Sequence, residues 1–318
     1  MEVKSPLRIA LIAGGVSAER EVSLKGARQI RAALKRLGYD VQEFDPQTDL
    51  AHLVKEAYRL DCALLVLHGP FGEDGRMQGF LDMIGLPYQG SGVLGSAIAM
   101  DKHLAKTIYA ANGIPTPGWR LLTRPVEEGD LQAIIDSLGL PLMVKPKTQG
   151  SSIGMGIARD VDGLEALVES AFEWDDELIV EEFIQGRELS VGILEDFGDW
   201  TLPPIEIIPG DQYEFFDYEA KYSPGATQEV CPAPVDPDIE ARARDLAKRA
   251  HSALGLSDYS RTDMLLTEDG SLLVIETNTI PGMTETSLLP QEAAVAGLGF
   301  DSLIDHLVKL AMKKRRAF

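Results

Sequence analysis

Residues 8–44, RIALIAGGVSAEREVSLKGARQIRAALKRLGYDVQEF, contain the first strand–helix–strand unit of the chain. The apolar run 9–13 predicts a buried strand that ends at Gly14-Gly15. The following segment is predicted to be a helix, because its apolar residues recur at helical spacing and form one face: Leu24, Ala27, Ile30, Leu34 and Leu37. Because further strands are predicted near 41–44 and 63–67, this alternation predicts a doubly wound α/β domain with a mostly parallel sheet.

Outward from this unit, we predict two domain boundaries, near residues 100 and 183. Residues 1–100 form an N-terminal α/β domain that binds substrate. Residues 101–183 form a central subdomain with a glycine-rich lid. Residues 184–318 form an α+β subdomain with an irregular, omega-type loop over 210–228 and a β-hairpin over 261–278.

The composition is that of a globular protein with a strong negative charge. The chain has 318 residues, of which 50 are acidic and 30 basic, for a net charge of −20. This charge argues against nucleic-acid or membrane partners. Cys62 and Cys231 lie in no CxxC or Cys/His cluster, which argues against a disulfide framework or a zinc site. With no signal-peptide pattern and no apolar run near the ~20 residues that span a bilayer, we predict a cytoplasmic location.

The hairpin carries the strongest chemical signal. Asp269-Gly270 is a preferred centre of a two-residue turn, which predicts that Glu268 pairs with Ser271. Counting back along both strands places Asp263 opposite Glu276. The same register places Arg261 opposite Asn278, and alternation of side chains puts all four on one face.

Two facing carboxylates repel each other unless something lies between them. Carboxylate and amide oxygens are the ligands that Mg²⁺ prefers, so Asp263, Glu276 and Asn278 predict a magnesium site. The alternative is a solvated face on which the two acids splay apart. A bulge in either strand would change the register.

Phosphate-binding groups are predicted in the central subdomain. Lys145 ends an apolar strand, and the loop 150–156, GSSIGMG, follows with backbone N–H and hydroxyl donors. Lys102 is a second candidate cation. A flexible connection and a solvent-facing lysine are the structural alternatives. Glu181 and Glu182 lie at the end of the next strand, where a strand backbone and an adjacent acid can bind the edge of adenine. Glu188 follows as a candidate for binding the ribose hydroxyls. The alternative for all three is that they are solvated surface acids.

Two loops of the N-terminal domain are candidate substrate contacts. Glu19 lies where the loop after the first strand opens a helix, so it can bind an ammonium group or serve as a favourable first-turn acid. His68 follows the third strand, where ligands collect in open α/β sheets. A structural histidine with satisfied hydrogen bonds is the alternative there.

Taken together, these segments resemble the D-alanine–D-alanine ligase family of the ATP-grasp superfamily. The resemblance runs along nearly the whole chain, in family order. Its segments are GGVSAEREVSL (14–24), HGPFGEDGRMQG (68–79), YQGSGVLGSAIAMDK (88–102), VKP (144–146), GSSIGMG (150–156), YEAKYSPG (218–225), CPAP (231–234), SRTDM (260–264) and ETNTIPGMTETSLLP (276–290). The implied fold is the N-terminal parallel sheet followed by a two-subdomain ATP-grasp fold.

The resemblance implies a role for each matching residue. Those implied to bind ATP are Lys102, Lys145, Ser151, Met155, Glu181, Glu182, Phe183, Glu188 and Lys221. Two Mg²⁺ ions, for which Mn²⁺ can substitute, are implied at Asp263, Glu276 and Asn278. Thr277 stands where relatives often carry an aliphatic residue, and we expect its side chain to face away from the metals.

The substrate roles also follow from the resemblance. Glu19 binds the ammonium of the first D-alanine, His68 lies near its carboxylate, and Ser151 and Tyr222 close the lid through hydrogen bonds to Glu19. Arg261 and the N–H of Gly282 stabilise the oxyanion. The carboxylate of the second D-alanine is held by Ser287 and Leu288.

The implied reaction forms D-alanyl-D-alanine through an acyl phosphate, for peptidoglycan precursor synthesis. A homodimer is the implied assembly, and activation by K⁺ stays open. Two alternatives remain: a related ligase that takes D-lactate or D-serine as second substrate, and an ATP-binding module without catalytic activity.

Overall fold

The fold is described from a computed structural model that covers residues 6–210 and 227–314. The strands are β1 (Arg8–Ala13), β2 (Asp40–Phe44), β3 (Cys62–Val66), β4 (Trp119–Thr123), β5 (Leu142–Pro146), β6 (Gly156–Ala158), β7 (Glu177–Glu182), β8 (Arg187–Leu194), β9 (Ile205–Pro209), β10 (Thr227–Val230), β11 (Tyr259–Leu266) and β12 (Leu272–Asn278). The helices are α1 (Arg20–Arg36), α2 (Leu50–Glu56), α3 (Arg76–Met83), α4 (Val93–Met100), α5 (Lys102–Ala111), α6 (Asp130–Leu138), α7 (Val161–Ala171), α8 (Pro237–Ala253), α9 (Leu288–Val295) and α10 (Phe300–Lys313), with a 3₁₀ turn at Ala57–Arg59.

The N-terminal sheet is parallel, with strand order β2-β1-β3, as the sequence predicts. Alternate residues of β1 enter two cores because side chains along a strand point to opposite faces. Ile9 and Leu11 pack with α1, whereas Ala10 and Ile12 pack toward α2 and α3. The C-terminal helix α10 also covers the first of these faces. Helices on both faces confirm the doubly wound prediction.

Two antiparallel sheets make up the rest of the described fold. The central sheet has the order β4-β7-β5-β6 and packs against α6 and α7. The third sheet has the order β10-β9-β8-β11-β12, and α8 and α5 cover one of its faces. The other face of β8 packs against α9. This mixture of one parallel and two antiparallel sheets agrees with the predicted fold class.

The predicted domain boundaries near residues 100 and 183 stay predictions. Helix α10 comes from the last predicted subdomain and packs on α1 of the first one. Within residues 6–210 and 227–314, we find no helix with both the length and the apolar character needed to cross a membrane.

Candidate active site

A cavity of about 810 Å³ lies between the central and third sheets. The predicted ATP-binding residues within the described chain all line it: Lys102, Lys145, Ser151, Met155, Glu181, Glu182, Phe183 and Glu188. Asp263 and Glu276 line the same cavity from β11 and β12. The predicted residues Lys221 and Tyr222 lie outside the described residues. The fold thus gathers the candidate phosphate, base and cation groups around one space.

A buried charge cluster forms one wall of the cavity. The Glu181 carboxylate lies between two ammonium groups, pairing with Lys145 and, at 2.9 Å from its Oε2, with Lys106. Lys106 also donates a hydrogen bond to Thr116 Oγ1 at 2.7 Å. Burial alone would raise the pKa of Glu181, but the two lysines outweigh it and lower that pKa to about 2. Burial lowers the pKa of Lys106, and the Glu181 charge opposes this effect.

The sequence analysis missed Lys106. It lies on α5 between the buried residues Ala105 and Tyr109, and a lysine within the buried stretch of a helix is the signal that indicates a buried ion pair. Two lysines already pair with the Glu181 carboxylate. The contact of Glu181 with adenine therefore remains a prediction, and it is one for the backbone of β7 rather than for this side chain.

The glycine-rich loop between β5 and β6 lies against the N-terminal domain. Lys102 Nζ donates a hydrogen bond to the backbone oxygen of Gln149 at 2.6 Å. Ser151 Oγ donates a hydrogen bond to the Glu19 carboxylate. Ser151 adopts a φ of 49°, a left-handed conformation that is uncommon for residues other than glycine. A Cβ added at Gly150 would lie 3.0 Å from Glu19 Oε2, so a larger residue there would crowd the Glu19 carboxylate.

Glu19 and His68 come together beneath this loop. Glu19 caps the start of α1 and is 7% exposed, and His68 is 9% exposed. Burial lowers the pKa of His68, the Glu19 charge opposes that change, and the Arg261 charge adds to it. Gly69 follows with φ +68°, and a Cβ there would lie 2.8 Å from Glu19 Oε2. The two predicted substrate contacts therefore share one enclosed corner.

Glu73 belongs to the same corner and was missed by the sequence analysis. Its Oε2 accepts a hydrogen bond from the Gly69 N–H at 2.7 Å. Burial, with a further contribution from the Glu19 charge, raises the pKa of Glu73 to about 8. This side chain is therefore mostly a neutral acid at pH 7. Acidic residues in a loop rich in Gly and Asp are usually solvated, so the burial of Glu73 could not be predicted from the sequence.

The hairpin turn differs from the prediction. Thr267 N–H donates to the backbone oxygen of Ser271 at 2.9 Å, and Gly270 has φ +79°. The loop therefore has three residues, 268–270, which is the common three-residue type with a left-handed glycine. The predicted two-residue turn, with Glu268 paired to Ser271, is wrong. Beyond the turn, Met264 lies opposite Val274.

A β-bulge restores the predicted register at the site. The pairing shifts between Asp263 and Met264, so that Asp263 lies opposite Glu276 and Arg261 lies opposite Asn278. The extra residue in the turn and the extra residue in β12 cancel each other. The prediction that these four residues face one another is therefore confirmed.

The donor set fits a hard divalent cation. Arg261 donates from Nε at 2.8 Å and from Nη2 at 2.7 Å to the Asp263 carboxylate, which also accepts from Ser190 Oγ at 2.6 Å. Burial works against the charge of Arg261, but Asp263 and its neighbours outweigh it and raise the pKa of Arg261. Among the described residues, no group of three or more His, Cys, Asp and Glu side chains is arranged around a metal position. Two carboxylates and the Asn278 amide suit Mg²⁺, which takes its remaining ligands from substrate phosphates and water.

The remaining predicted residues lie after β12. A Cβ at Gly282 would lie 3.0 Å from Ser287 Oγ, so these two candidates are neighbours. Ser287 Oγ accepts a hydrogen bond from the Thr284 N–H at 3.1 Å, and the buried Leu288 begins α9. Thr277 is buried and accepts a hydrogen bond from Tyr109 at 2.8 Å, which confirms that it faces away from Glu276.

Family models match most of the chain. A model described as D-ala D-ala ligase C-terminus matches residues 108–309, and one described as D-ala D-ala ligase N-terminus matches residues 43–91. A D-alanine–D-alanine ligase of Syntrophobacter fumaroxidans is 49% identical over 307 residues, which are 96% of this chain and 98% of that protein. One of Desulfotalea psychrophila is 50% identical over 98% of this chain and 96% of that protein.

Solved structures give the same picture. The D-alanine–D-alanine ligase of Bacillus anthracis complexed with ATP matches with a TM-score of 0.83 and 36% identity, covering 96% of this chain and 98% of that one. The VanG D-Ala:D-Ser ligase of Enterococcus faecalis also matches with a TM-score of 0.83, at 31% identity, covering 96% of this chain and 99% of that one.

Proposed function

The chain belongs to the D-alanine–D-alanine ligase family, and from this membership we propose that it joins two D-alanine molecules into D-alanyl-D-alanine in an ATP-dependent reaction. The dipeptide serves peptidoglycan precursor synthesis. The observation that carries the proposal is the hydrogen bond from Ser151 to Glu19. It holds the glycine-rich loop of the ATP cavity against the corner that binds the first D-alanine, so both substrates share one enclosed space.

ATP occupies the cavity between the two antiparallel sheets. Met155 and Phe183 offer apolar contact to the base, and Glu188 lies on the same lining for the ribose hydroxyls. Lys102 and Lys145 neutralise phosphate oxygens, and the loop over 150–156 adds backbone donors. The Bacillus anthracis relative is complexed with ATP, which supports ATP as the nucleotide that this chain binds.

Asp263, Glu276 and Asn278 would hold the divalent cations, which would be Mg²⁺ or, as a substitute, Mn²⁺. When bound, the cations supply positive charge that offsets the charge developing on the transferred phosphate. In the absence of a cation, the Arg261 guanidinium neutralises Asp263. A homodimer remains a prediction from the resemblance, and activation by K⁺ stays open.

The first chemical step uses the corner around Glu19. Glu19 binds the ammonium of the first D-alanine, and His68 lies beside its carboxylate. A carboxylate oxygen attacks the γ-phosphorus of ATP, the bond to the β,γ-bridging oxygen breaks, and ADP leaves with the electron pair. The closed loop excludes water, which protects the acyl phosphate from hydrolysis.

The second step joins the two amino acids. The uncharged amine of the second D-alanine, whose carboxylate is held by Ser287 and Leu288, attacks the acyl carbon. Arg261 and the Gly282 N–H stabilise the negative oxygen of the tetrahedral intermediate. The bond from carbon to the phosphate oxygen then breaks, phosphate leaves, and the nitrogen loses its proton.

The identity of the second substrate, the acceptor, is a separate part of the proposal. The match to a D-Ala:D-Ser ligase means that the fold alone does not select the acceptor. Residues Lys221 and Tyr222 agree with ligases that take D-alanine, and they lie outside the described residues. D-serine and D-lactate are therefore the competing acceptors.

The test measures phosphate release from Mg²⁺-ATP with D-alanine alone, followed by mass analysis of the product. We expect D-alanine-dependent phosphate and the dipeptide of D-alanine. Faster turnover in mixtures with D-lactate or D-serine, with the mixed product, would assign the chain to the other acceptors. ATP binding without any product would instead support a module without catalytic activity.

A further inference from the structure

Glu292 is a buried acid that the reaction described above does not use. It lies on α9 with 0% of its surface exposed. Among the described residues neither of its carboxyl oxygens has a hydrogen bond of normal geometry, although the Gly192 N–H is close enough to favour the ionised form. Buried carboxyl groups nearly always have partners, so a side chain of this kind needs an explanation.

The position of Glu292 is set by a glycine on the neighbouring strand. Gly192 of β8 lies directly opposite Arg261 of β11 in the sheet register. A Cβ at Gly192 would lie 2.4 Å from Glu292 Oε2, so the carboxyl group occupies the space of the missing side chain. Opposed residues of adjacent strands point to the same face with Cβ atoms roughly 5 Å apart. Glu292 therefore lies beside the Arg261 side chain.

Arg261 already has one carboxylate partner, and that partner has a second task. Its guanidinium binds both oxygens of Asp263, the residue assigned to the cation in the proposed function. A cation on Asp263 competes with this ion pair. Losing the Asp263 contact, its one ion pair with a described residue, is costly for a buried guanidinium, whereas Arg261 has five N–H donors to offer elsewhere.

We propose that Glu292 is a positioning residue that binds the Arg261 guanidinium when a divalent cation takes Asp263. The exchange keeps Arg261 at the reaction centre and lowers the energetic cost of loading the cation. This inference rests on the proposed function, because it takes Asp263 as a cation ligand.

The charges around Glu292 are consistent with a carboxyl group that can accept the Arg261 guanidinium. Burial raises the pKa of Glu292 well above its usual range, while the Arg261 charge opposes this and the Asp263 charge adds to it. Arg244 is a further cation that stabilises the carboxylate, but it is already paired with Glu240 at 2.7 Å.

The experiment measures Mn²⁺ binding by electron paramagnetic resonance in the presence of a non-hydrolysable ATP analogue. In Glu292→Gln, Arg261 stays on Asp263 in competition with the ion, and we expect the Kd for Mn²⁺ to rise roughly tenfold, the effect of one charge-assisted hydrogen bond. In the Arg261→Gln background the same substitution is expected to have no effect, because there is no guanidinium to relocate. Asp305→Asn, which removes a carboxylate of α10 that pairs with Tyr39 and Lys309, is the control and is expected to bind normally.

Two outcomes overturn the inference. One is an unchanged Kd in Glu292→Gln. The other is an equal loss of affinity with and without Arg261, which indicates a merely structural role. Asp263→Asn tests the cation site separately: normal Mn²⁺ binding there contradicts the proposed site itself, and with it the inference. Should Glu292→Gln fail to fold, Glu292→Leu carries the same test, because it also removes the carboxyl group that Arg261 would bind.

Discussion

Ser151 donates a hydrogen bond to Glu19 although 132 positions separate them in the chain. The bond joins the loop after β5 to the start of α1, and Gly150 allows the two segments to approach closely. Glu19 is therefore held by a residue of the ATP cavity while it faces the predicted amino-acid corner. In the proposed function, closure of this loop and placement of the Glu19 carboxylate therefore depend on the same hydrogen bond.

Replacing Ser151 by alanine tests this link. The change removes a hydrogen bond to a charged group, so we expect kcat/KM for D-alanine to fall by roughly 10- to 100-fold, with a smaller effect on KM for ATP. Steady-state kinetics with each substrate varied in turn measures the difference. Ser252→Ala removes a serine that bonds only within α8 and serves as control. Unchanged kinetics for Ser151→Ala would contradict the assigned role.

Glu276 supplies the second prediction. Glu276→Gln removes one charge from the face opposite Asp263, and we expect Mg²⁺-dependent turnover to fall by orders of magnitude while the Tm stays near that of the parent protein. Turnover is measured against Mg²⁺ concentration. Glu268→Gln, an exposed acid in the turn of the same hairpin, is expected to behave like the parent. Near-normal turnover in Glu276→Gln would remove Glu276 from the cation site.

The same hairpin shows which structural features could be predicted from the sequence and which could not. The dipeptide Asp269-Gly270 indicates a turn, but not its length. Thr267 decides the length, since its Oγ1 accepts from the Ser271 N–H at 3.1 Å and closes a three-residue loop. The bulge that restores the pairing of Asp263 lies in β12, whereas the register of β11 with β8 is continuous through the same residues. Strand positions were predictable, whereas the local irregularities were not.

The burial of ionisable side chains was not predicted from the sequence. Periodicity predicted α1 and the parallel sheet because apolar spacing reports which face is buried. Lys106, Glu73 and Glu292 are polar residues whose burial depends on segments distant in the chain. Such contacts are tertiary, so even where the buried neighbours of Lys106 on α5 indicate an ion pair they do not identify its partner, and the same holds for the packing of α10 on the N-terminal sheet.

Lys106 leads to a prediction about stability. Lys106→Met leaves the buried Glu181 with Lys145 as its remaining cation, and we expect the free energy of unfolding to fall by about 3 kcal/mol, the typical cost of breaking a buried ion pair. Urea denaturation measures this loss. Lys55→Met removes an exposed lysine of α2 and is expected to change stability little. Equal stability of Lys106→Met and the parent would mean that Lys145 alone neutralises Glu181.

Glu73 links the enclosed corner to pH. Its pKa in the folded protein is about 8, above the ordinary value of 4.5, because of burial and the neighbouring Glu19 charge. The folded state therefore binds this proton more tightly than the unfolded state does. The associated stability is present below the unfolded-state pKa and is lost as pH rises through the folded-state pKa.

Glu73→Gln keeps the hydrogen-bonding shape and removes the titration, so the pH dependence of stability is the measurement that isolates this residue. Between about pH 5 and pH 8, we expect the parent protein to lose stability relative to Glu73→Gln by up to about 1.4 kcal/mol per pH unit. Urea denaturation of both proteins at several pH values gives the two curves. Glu128→Gln removes an exposed acid and is expected to run parallel to the parent. If Glu73→Gln also ran parallel, Glu73 would be ionised in the folded protein throughout this range, and the corner around Glu19 would hold two negative charges before the first D-alanine binds.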